Sequence, residues 1–293
     1  MSDLLDFGFQ SDIRLISVTG IGTFSEVAVK YLKECGLNDI DYFLLSSNRS
    51  SEDIAMTINS IENQWYRKLA FIVGDACEVA ERELFQKAGA LEKELGKVNI
   101  GLILLPFLSN NSEIKNQYKE YIGLLKNSVD QILVISNQNT FLNHDKSSPE
   151  EIAFKAFTQV MIIVKTIQKA VSCRSDISID YWDIRSLSFK GGFGIAITAN
   201  ASGENRSVKA LEMALESLKN NEILRDAQSF LLYLTYGNEE VTTVEIIDLM
   251  DCFMNKISPS ADFLWSTGYD PELREIVQVT IIVAGLEIDS IEF

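Results

Sequence analysis

Short apolar runs, each separated from the next by a helix-length segment, are the feature that most restricts the fold of this 293-residue chain. Arg14 to Val18, Tyr42 to Leu45, Leu69 to Val73, Ile100 to Leu105 and Gln131 to Ser136 are apolar nearly throughout instead of alternating. Strands of that kind are covered on both faces, and in alternation with helices they predict an α/β fold built on a doubly wound parallel sheet. Ligands in this architecture bind at the C-terminal ends of the strands.

From Pro149 to Cys173 the pattern is too long for a crossover helix. Ile152, Phe157, Val160, Ile163, Val164, Ile167 and Val171 sustain one apolar stripe. Pro149, preceded by Ser147 and Ser148, marks its start. Beyond it, Phe193 to Thr198, Phe230 to Thr235, Phe263 to Ser266 and Val277 to Val283 read as strands, with helical patterns at Asn205 to Lys219 and Val241 to Asn255 between them. The expected organisation is a Rossmann-like domain over 1–148, a central helix over 149–173 and a smaller C-terminal α/β domain over 174–293. Neither an internal repeat nor a low-complexity linker interrupts it.

A hydrophobic content of 46% over this length is enough for one large core or two modest ones. Cys35, Cys77, Cys173 and Cys252 are far apart and form no C-x-x-C pair, which argues against a zinc knuckle or a disulfide scaffold and for a reducing cytoplasm. No apolar run reaches signal-peptide or membrane-spanning length. A formal charge of −16 opposes nucleic acid and anionic membrane surfaces alike. The only histidine, His144, lies in the polar stretch Asn143-His144-Asp145-Lys146 with no G-x-S-x-G elbow or metal-ligand cluster around it, so Ser-His-Asp catalysis and a metal site are not expected.

Four segments, in order, carry a family resemblance. Ile13-Arg14-Leu15-Ile16-Ser17-Val18 leading to Gly20 and Gly22 resembles the first strand of FtsZ, the bacterial tubulin homologue. Leu105-Pro106-Phe107, then a helix and Val134-Ile135-Ser136-Asn137, is similar to that family's fourth and fifth strands. Gly194 to Thr198 with Ala201-Ser202-Gly203-Glu204-Asn205-Arg206 resembles the segment after its synergy loop. Asp270-Pro271-Glu272-Leu273 and Val279-Thr280 through Ala284-Gly285 look like its final hairpin. The resemblance implies an FtsZ/tubulin-like fold. It also implies GTP at the strand ends of the first domain and hydrolysis completed by the next subunit's synergy loop in a head-to-tail filament. Fold alone does not carry activity, and the two halves of that shared site differ in this chain.

A phosphate cradle needs successive backbone N–H groups at a helix N-terminus, with glycines that leave room for the anion. Thr19-Gly20-Ile21-Gly22-Thr23-Phe24 has two glycines, but a tight strand-to-helix turn explains a lone G-x-G equally well. After the strand Leu69 to Val73, where the family has a loop dense in glycine and threonine, this chain has Gly74-Asp75-Ala76-Cys77-Glu78-Val79-Ala80-Glu81-Arg82-Glu83. Asp75 and Glu78 have capping-box spacing there. A carboxylate about 4 Å from a phosphate charge costs roughly 1 to 4 kcal/mol, depending on screening. A phosphate-facing element after Ser46-Ser47-Asn48 is shortened, and Ser109-Asn110-Asn111-Ser112 replaces the charged ribose-side loop. Phe154 matches the guanine-stacking aromatic and Asn137 a position beside ribose and base, while Thr158 stands where the family pairs guanine with an Asp. Read without the resemblance, Phe154 is a core residue of the central helix. On the resemblance, Gly20, Gly22, Asn137 and Phe154 would form a degenerate GTP pocket, with no cofactor expected to be held tightly.

The synergy half is retained in Ser178-Ile179-Asp180-Tyr181-Trp182-Asp183. Asp180 and Asp183 match the carboxylates that polarise water against a neighbour's γ-phosphate, although Ser178 replaces the usual Asn. Their spacing also suits an N-cap and a first-turn acid. Tyr181 and Trp182 suit contact with a neighbouring subunit. The expectation is an FtsZ-like cytoskeletal or cell-division protein that acts as filament subunit, cap or modulator. Its partners are FtsZ-like subunits, either its own copies or a competent FtsZ, and Asp180 and Asp183 act in trans. The alternative is a self-assembling GTPase with an atypical phosphate loop, which would take GTP or GDP with magnesium. Because the sequence stops at Glu292-Phe293, just after the last strand, no direct membrane anchor is expected.

Overall fold

The computed structural model describes residues 15–63, 68–75, 78–105, 111–136, 148–172, 179–188, 191–218 and 220–291. Among these, β1 (Ile16–Ile21), α1 (Thr23–Glu34), β2 (Ile40–Leu45), α2 (Ser51–Glu62), β3 (Leu69–Gly74), α3 (Val79–Glu94), β4 (Val98–Leu105), α4 (Ser112–Leu125) and β5 (Gln131–Ser136) alternate as expected. The central helix α5 (Pro149–Ser172) and the short α6 (Tyr181–Ser188) follow. The remainder is β6 (Phe193–Ala201), α7 (Arg206–Glu216), α8 (Ile223–Asp226), β7 (Ser229–Tyr236), α9 (Thr243–Met254), β8 (Asp262–Tyr269) and β9 (Val277–Leu286).

All nine strands form one sheet in the order β2-β1-β3-β4-β5-β6-β9-β7-β8. The first half is parallel throughout, and every residue of β1, β3, β4 and β5 is buried. β5 hands on to β6 through only two register pairs, Ile132 with Phe193 and Leu133 with Gly194. β9 then runs antiparallel to both β6 and β7, and β8 lies parallel to β7 at the edge.

That topology corrects the final hairpin expected from Asp270-Pro271-Glu272-Leu273 and the strand after it. The chain does turn at Pro271–Leu273, but β9 leaves β8 and inserts between β6 and β7. Its uninterrupted run of buried residues from Val279 to Leu286 suits a central position, whereas β8 begins with the exposed Asp262.

Helices α2, α3, α4, α7 and α9 cover one face of the sheet through Ile61, Phe85, Leu125, Leu211 and Phe253. Helices α1, α5 and α6 cover the other through Leu32, Ile163 and Ile184. A reciprocal pair starts α5: the Ser148 N–H donates to Glu151 Oε2 at 3.0 Å and the Glu151 N–H to Ser148 Oγ at 3.3 Å. The apolar stripe of α5 then packs in one core with Leu104 and Ile135 from the first half and with Leu231, Tyr233 and Ile282 from the second. Each such side chain contributes about 1.5–3 kcal/mol by leaving water.

Polar groups complete the joint. Gln159 Nε2 donates to the Ala196 carbonyl at 3.0 Å, and Asp270 Oδ2 takes Lys165 Nζ at 2.7 Å and Lys169 Nζ at 3.1 Å. The long helix thus clamps the β5–β6 crossing from one side, where the sheet itself is held by few bonds.

Candidate functional site

The C-terminal ends of β1, β2 and β3 meet where this architecture binds ligands. Gly20 and Gly22 are both here, for different reasons. A Cβ on Gly20 would lie 2.8 Å from Val29 Cγ2, so its absence lets α1 pack against its own strand. Gly22 has φ +86° and is the N-cap of α1, leaving that helix start with no side-chain cap.

The space in front of Gly22 holds a carboxylate of the protein itself. Glu81, in the first turn of α3, is 6% exposed. Its Oε1 accepts from the Ser47 N–H at 3.0 Å, from Ser47 Oγ at 2.6 Å and from Ser46 Oγ at 3.5 Å. Its Oε2 faces Gly22, 3.5 Å from where a Cβ would be, and accepts no hydrogen bond. Arg49, on the same loop as the two serines, is committed to Glu26, with Nη2 and Nε at 2.8 and 3.2 Å from one carboxylate oxygen.

GTP, which the fold resemblance implies, does not fit these residues as they stand. A phosphate oxygen brought to Gly22 meets Glu81 Oε2, and two like charges at contact distance in a buried place repel strongly. Asp75, expected to cap the helix start together with Glu78, is not the N-cap of α3. α3 begins at Val79 with Glu78 as its N-cap, whose side chain makes no capping bond. Glu81, further along the same acidic run, turns inward and lies against Gly22.

On the base side, Phe154 is 56% exposed and is not a core residue of α5. Its ring stands edge-on to Tyr31 of α1, with centroids 5.3 Å apart. Tyr31 Oη and Thr158 Oγ1 lie within hydrogen-bond reach at 3.5 Å, and the Thr158 hydroxyl donates to the Phe154 carbonyl at 2.8 Å. Burial pushes the Tyr31 phenol above its ordinary value, against the opposing effect of Thr158. Phe154 therefore has a protein ring on one edge, and Thr158 satisfies its hydroxyl within its own helix. Asn137, His144, Cys77, Cys173 and Ser178 lie outside the described residues.

At the other end of the strands, Asp180 and Asp183 begin α6. The Asp183 N–H donates to Asp180 Oδ1 at 2.9 Å, and the Asp180 N–H donates to Asp183 Oδ2 at 2.8 Å. Tyr181 and Trp182 belong to the first helical turn and not to a loop. The Tyr181 hydroxyl donates to the carbonyl of Gly96, just before β4, and Lys68, just before β3, lies over the Tyr181 ring at 5.8 Å. These contacts fix α6 at the start of the parallel strands, opposite the end where Glu81 meets Gly22. Trp182 is 64% exposed, with its ring against Tyr181 at 5.4 Å and Arg185 at 5.6 Å.

The two Asp residues are thus in contact with each other, at the opposite end of the parallel strands from Gly22. Among the described residues no cluster of three or more His, Cys, Asp or Glu is arranged to hold a metal ion, and no helix is long and apolar enough to cross a membrane.

Comparison with known proteins agrees with this fold. Residues 192–287 match the family model described as the FtsZ family, C-terminal domain. An empty FtsZ dimer from M. jannaschii superposes with a TM-score of 0.78 at 17% identity, over 92% of this chain and 87% of that one. A point mutant of M. jannaschii FtsZ gives 0.77 at 19% identity, over 92% and 91%. CetZ1 from Haloferax volcanii, a GDP-bound monomer, gives 0.73 at 14% identity, over 94% and 96%.

Proposed function

We propose that this chain, FtsZ/tubulin-like in fold and matched to the FtsZ C-terminal domain over residues 192–287, is a pseudo-GTPase of a cytoskeletal filament system, acting as subunit, cap or modulator. The observation that carries the reading is the opposition of the two ends. Glu81 fills the anion position at Gly22, while Asp180, Asp183 and the exposed Trp182 stand at the other end of the same strands.

Head-to-tail association joins two different surfaces, so one subunit can have one competent face and one altered face. The face that bears Asp180 and Asp183 is directed at the neighbour's nucleotide. The face closed by Glu81 gives nothing back, and a chain so built ends a filament or slows its growth. The empty FtsZ dimer among the structural relatives supports association between subunits of this fold. A competent FtsZ, which brings its own nucleotide to the face that bears Asp180 and Asp183, is the partner that suits this arrangement.

The test is to add the protein to polymerising FtsZ and follow sedimentable filament mass and GTP turnover. The reading predicts a change in at least one of them at substoichiometric ratios. Unchanged mass and unchanged turnover at equimolar protein contradict it.

A further inference from the structure

The nucleotide implied by the fold and the residues present disagree at one atom, Glu81 Oε2. Resting on the account of the closed end given above, we infer that Glu81 is a built-in anion: the loops around Gly22 still form a cradle for a tetrahedral oxyanion, and this chain's own carboxylate takes that place.

Two separate observations point to an anion position instead of a simple loop tether. Tethering the loop at Ser46 and Ser47 needs only Oε1, which already takes the Ser47 N–H, the Ser47 hydroxyl and the Ser46 hydroxyl. Oε2 adds nothing to that tether, yet it is buried, without a hydrogen-bond partner, and directed at Gly22. A buried carboxylate oxygen with no donor is costly unless a positive potential meets it. The start of α1 supplies that potential: Gly22 offers no side chain, the helix has no side-chain cap, and the peptide dipoles of its twelve residues point the same way. In the same first turn Ser25 Oγ is also buried without a partner, a second polar atom in this region that the protein leaves unsatisfied.

The donors that hold Oε1 are those an oxyanion uses. A backbone N–H and two serine hydroxyls from one loop, set against an uncapped helix start and a glycine with room in front of it, suit a phosphate-sized anion. Arg49 is committed to Glu26 and does not neutralise Glu81, so the carboxylate keeps a second anion out by charge as well as by volume. Removing the carboxylate leaves the donors and vacates the space.

Glu81→Ala and Glu81→Gln test this in the full chain, with inorganic phosphate as the probe and chloride at matched ionic strength as the control. Millimolar phosphate is expected to raise the melting temperature of Glu81→Ala by about 2 °C or more and to leave the wild type unchanged. Displacement of the bound phosphate by GDP identifies a nucleotide's phosphate as the ligand, and no displacement identifies free phosphate. A folded Glu81→Ala that ignores phosphate overturns the inference, and so does a wild type that responds equally. Glu81→Gln keeps the volume and the acceptor for Ser47 but loses the charge. It is expected to melt below the wild type, and equal or higher stability overturns the inference even if the alanine variant does not fold. A wild type that binds no GTP while Glu81→Ala also ignores phosphate separates the two claims, because the pseudo-GTPase reading then survives and this one does not.

Discussion

Asp180 and Asp183 bond reciprocally, each carboxylate accepting the other residue's backbone N–H at 2.9 and 2.8 Å. The carboxylates therefore have a structural task at the start of α6 whether or not a neighbour's nucleotide ever reaches them. The two roles separate by chemistry, because capping needs an oxygen acceptor and polarising water needs charge.

Asp180→Asn keeps a side chain that caps as well as Asp, so stability should stay within about 0.5 kcal/mol of the wild type. Asp180→Ala removes the acceptor and should cost about 1 kcal/mol. Both variants should lose any effect on FtsZ turnover if the charge acts in trans. Chemical denaturation and a phosphate-release assay on the same preparations give the two readouts.

Trp182 is 64% exposed and touches Tyr181 and Arg185 on its own helix. Trp182→Ala should change stability by less than about 0.5 kcal/mol, as for most surface substitutions. Co-sedimentation with FtsZ should fall if this face docks. Retained co-sedimentation would move the contact elsewhere.

Ser47 gives Glu81 its shortest hydrogen bond, from Oγ at 2.6 Å. Ser47→Ala removes that donor and leaves a buried carboxylate less satisfied, which should destabilise the chain by about 1–3 kcal/mol. Thermal melts of Ser47→Ala and of the Ser47→Ala/Glu81→Ala double variant should be far from additive, since the serine matters only while the carboxylate is there.

Asp270 links the turn after β8 to the central helix through Lys165 and Lys169. Burial, the largest influence, favours its neutral form, but the two lysines together hold its carboxyl below the usual value. With the folded-state value depressed, the contribution to stability is present above the ordinary carboxylate pKa and is lost as the pH falls through the folded-state value. Asp270→Asn should therefore cost about 1–3 kcal/mol near neutrality, and the gap from the wild type should close in acid. Melting temperature against pH for both proteins measures this.

The strand runs, the long helix and its start at Pro149 were legible because each depends on residues close in sequence. The same holds for the Asp180 and Asp183 spacing, which already suited a cap. What periodicity does not encode is which strands pair: β9 is equally apolar beside β8 or between β6 and β7, and the pairing depends on contacts distant in sequence. α8 is four residues long and too short to show a period. Phe154 reads as a core residue of the central helix if it is not a stacking aromatic, yet it is at the exposed edge of α5 against Tyr31. Glu81 was the hardest to read. In the string Glu78-Val79-Ala80-Glu81-Arg82-Glu83 it is one acid among several in an amphipathic helix start, and only the approach of Ser46, Ser47 and Gly22 from other elements distinguishes it.

The central claim is that the strand-end site is closed to nucleotide by the protein's own carboxylate. Isothermal titration of the wild-type chain with GTP and magnesium tests it most directly. The account predicts no saturable binding at concentrations up to about 100 μM, and a dissociation constant of about 1 μM or tighter, with turnover that rises with protein concentration, would contradict it.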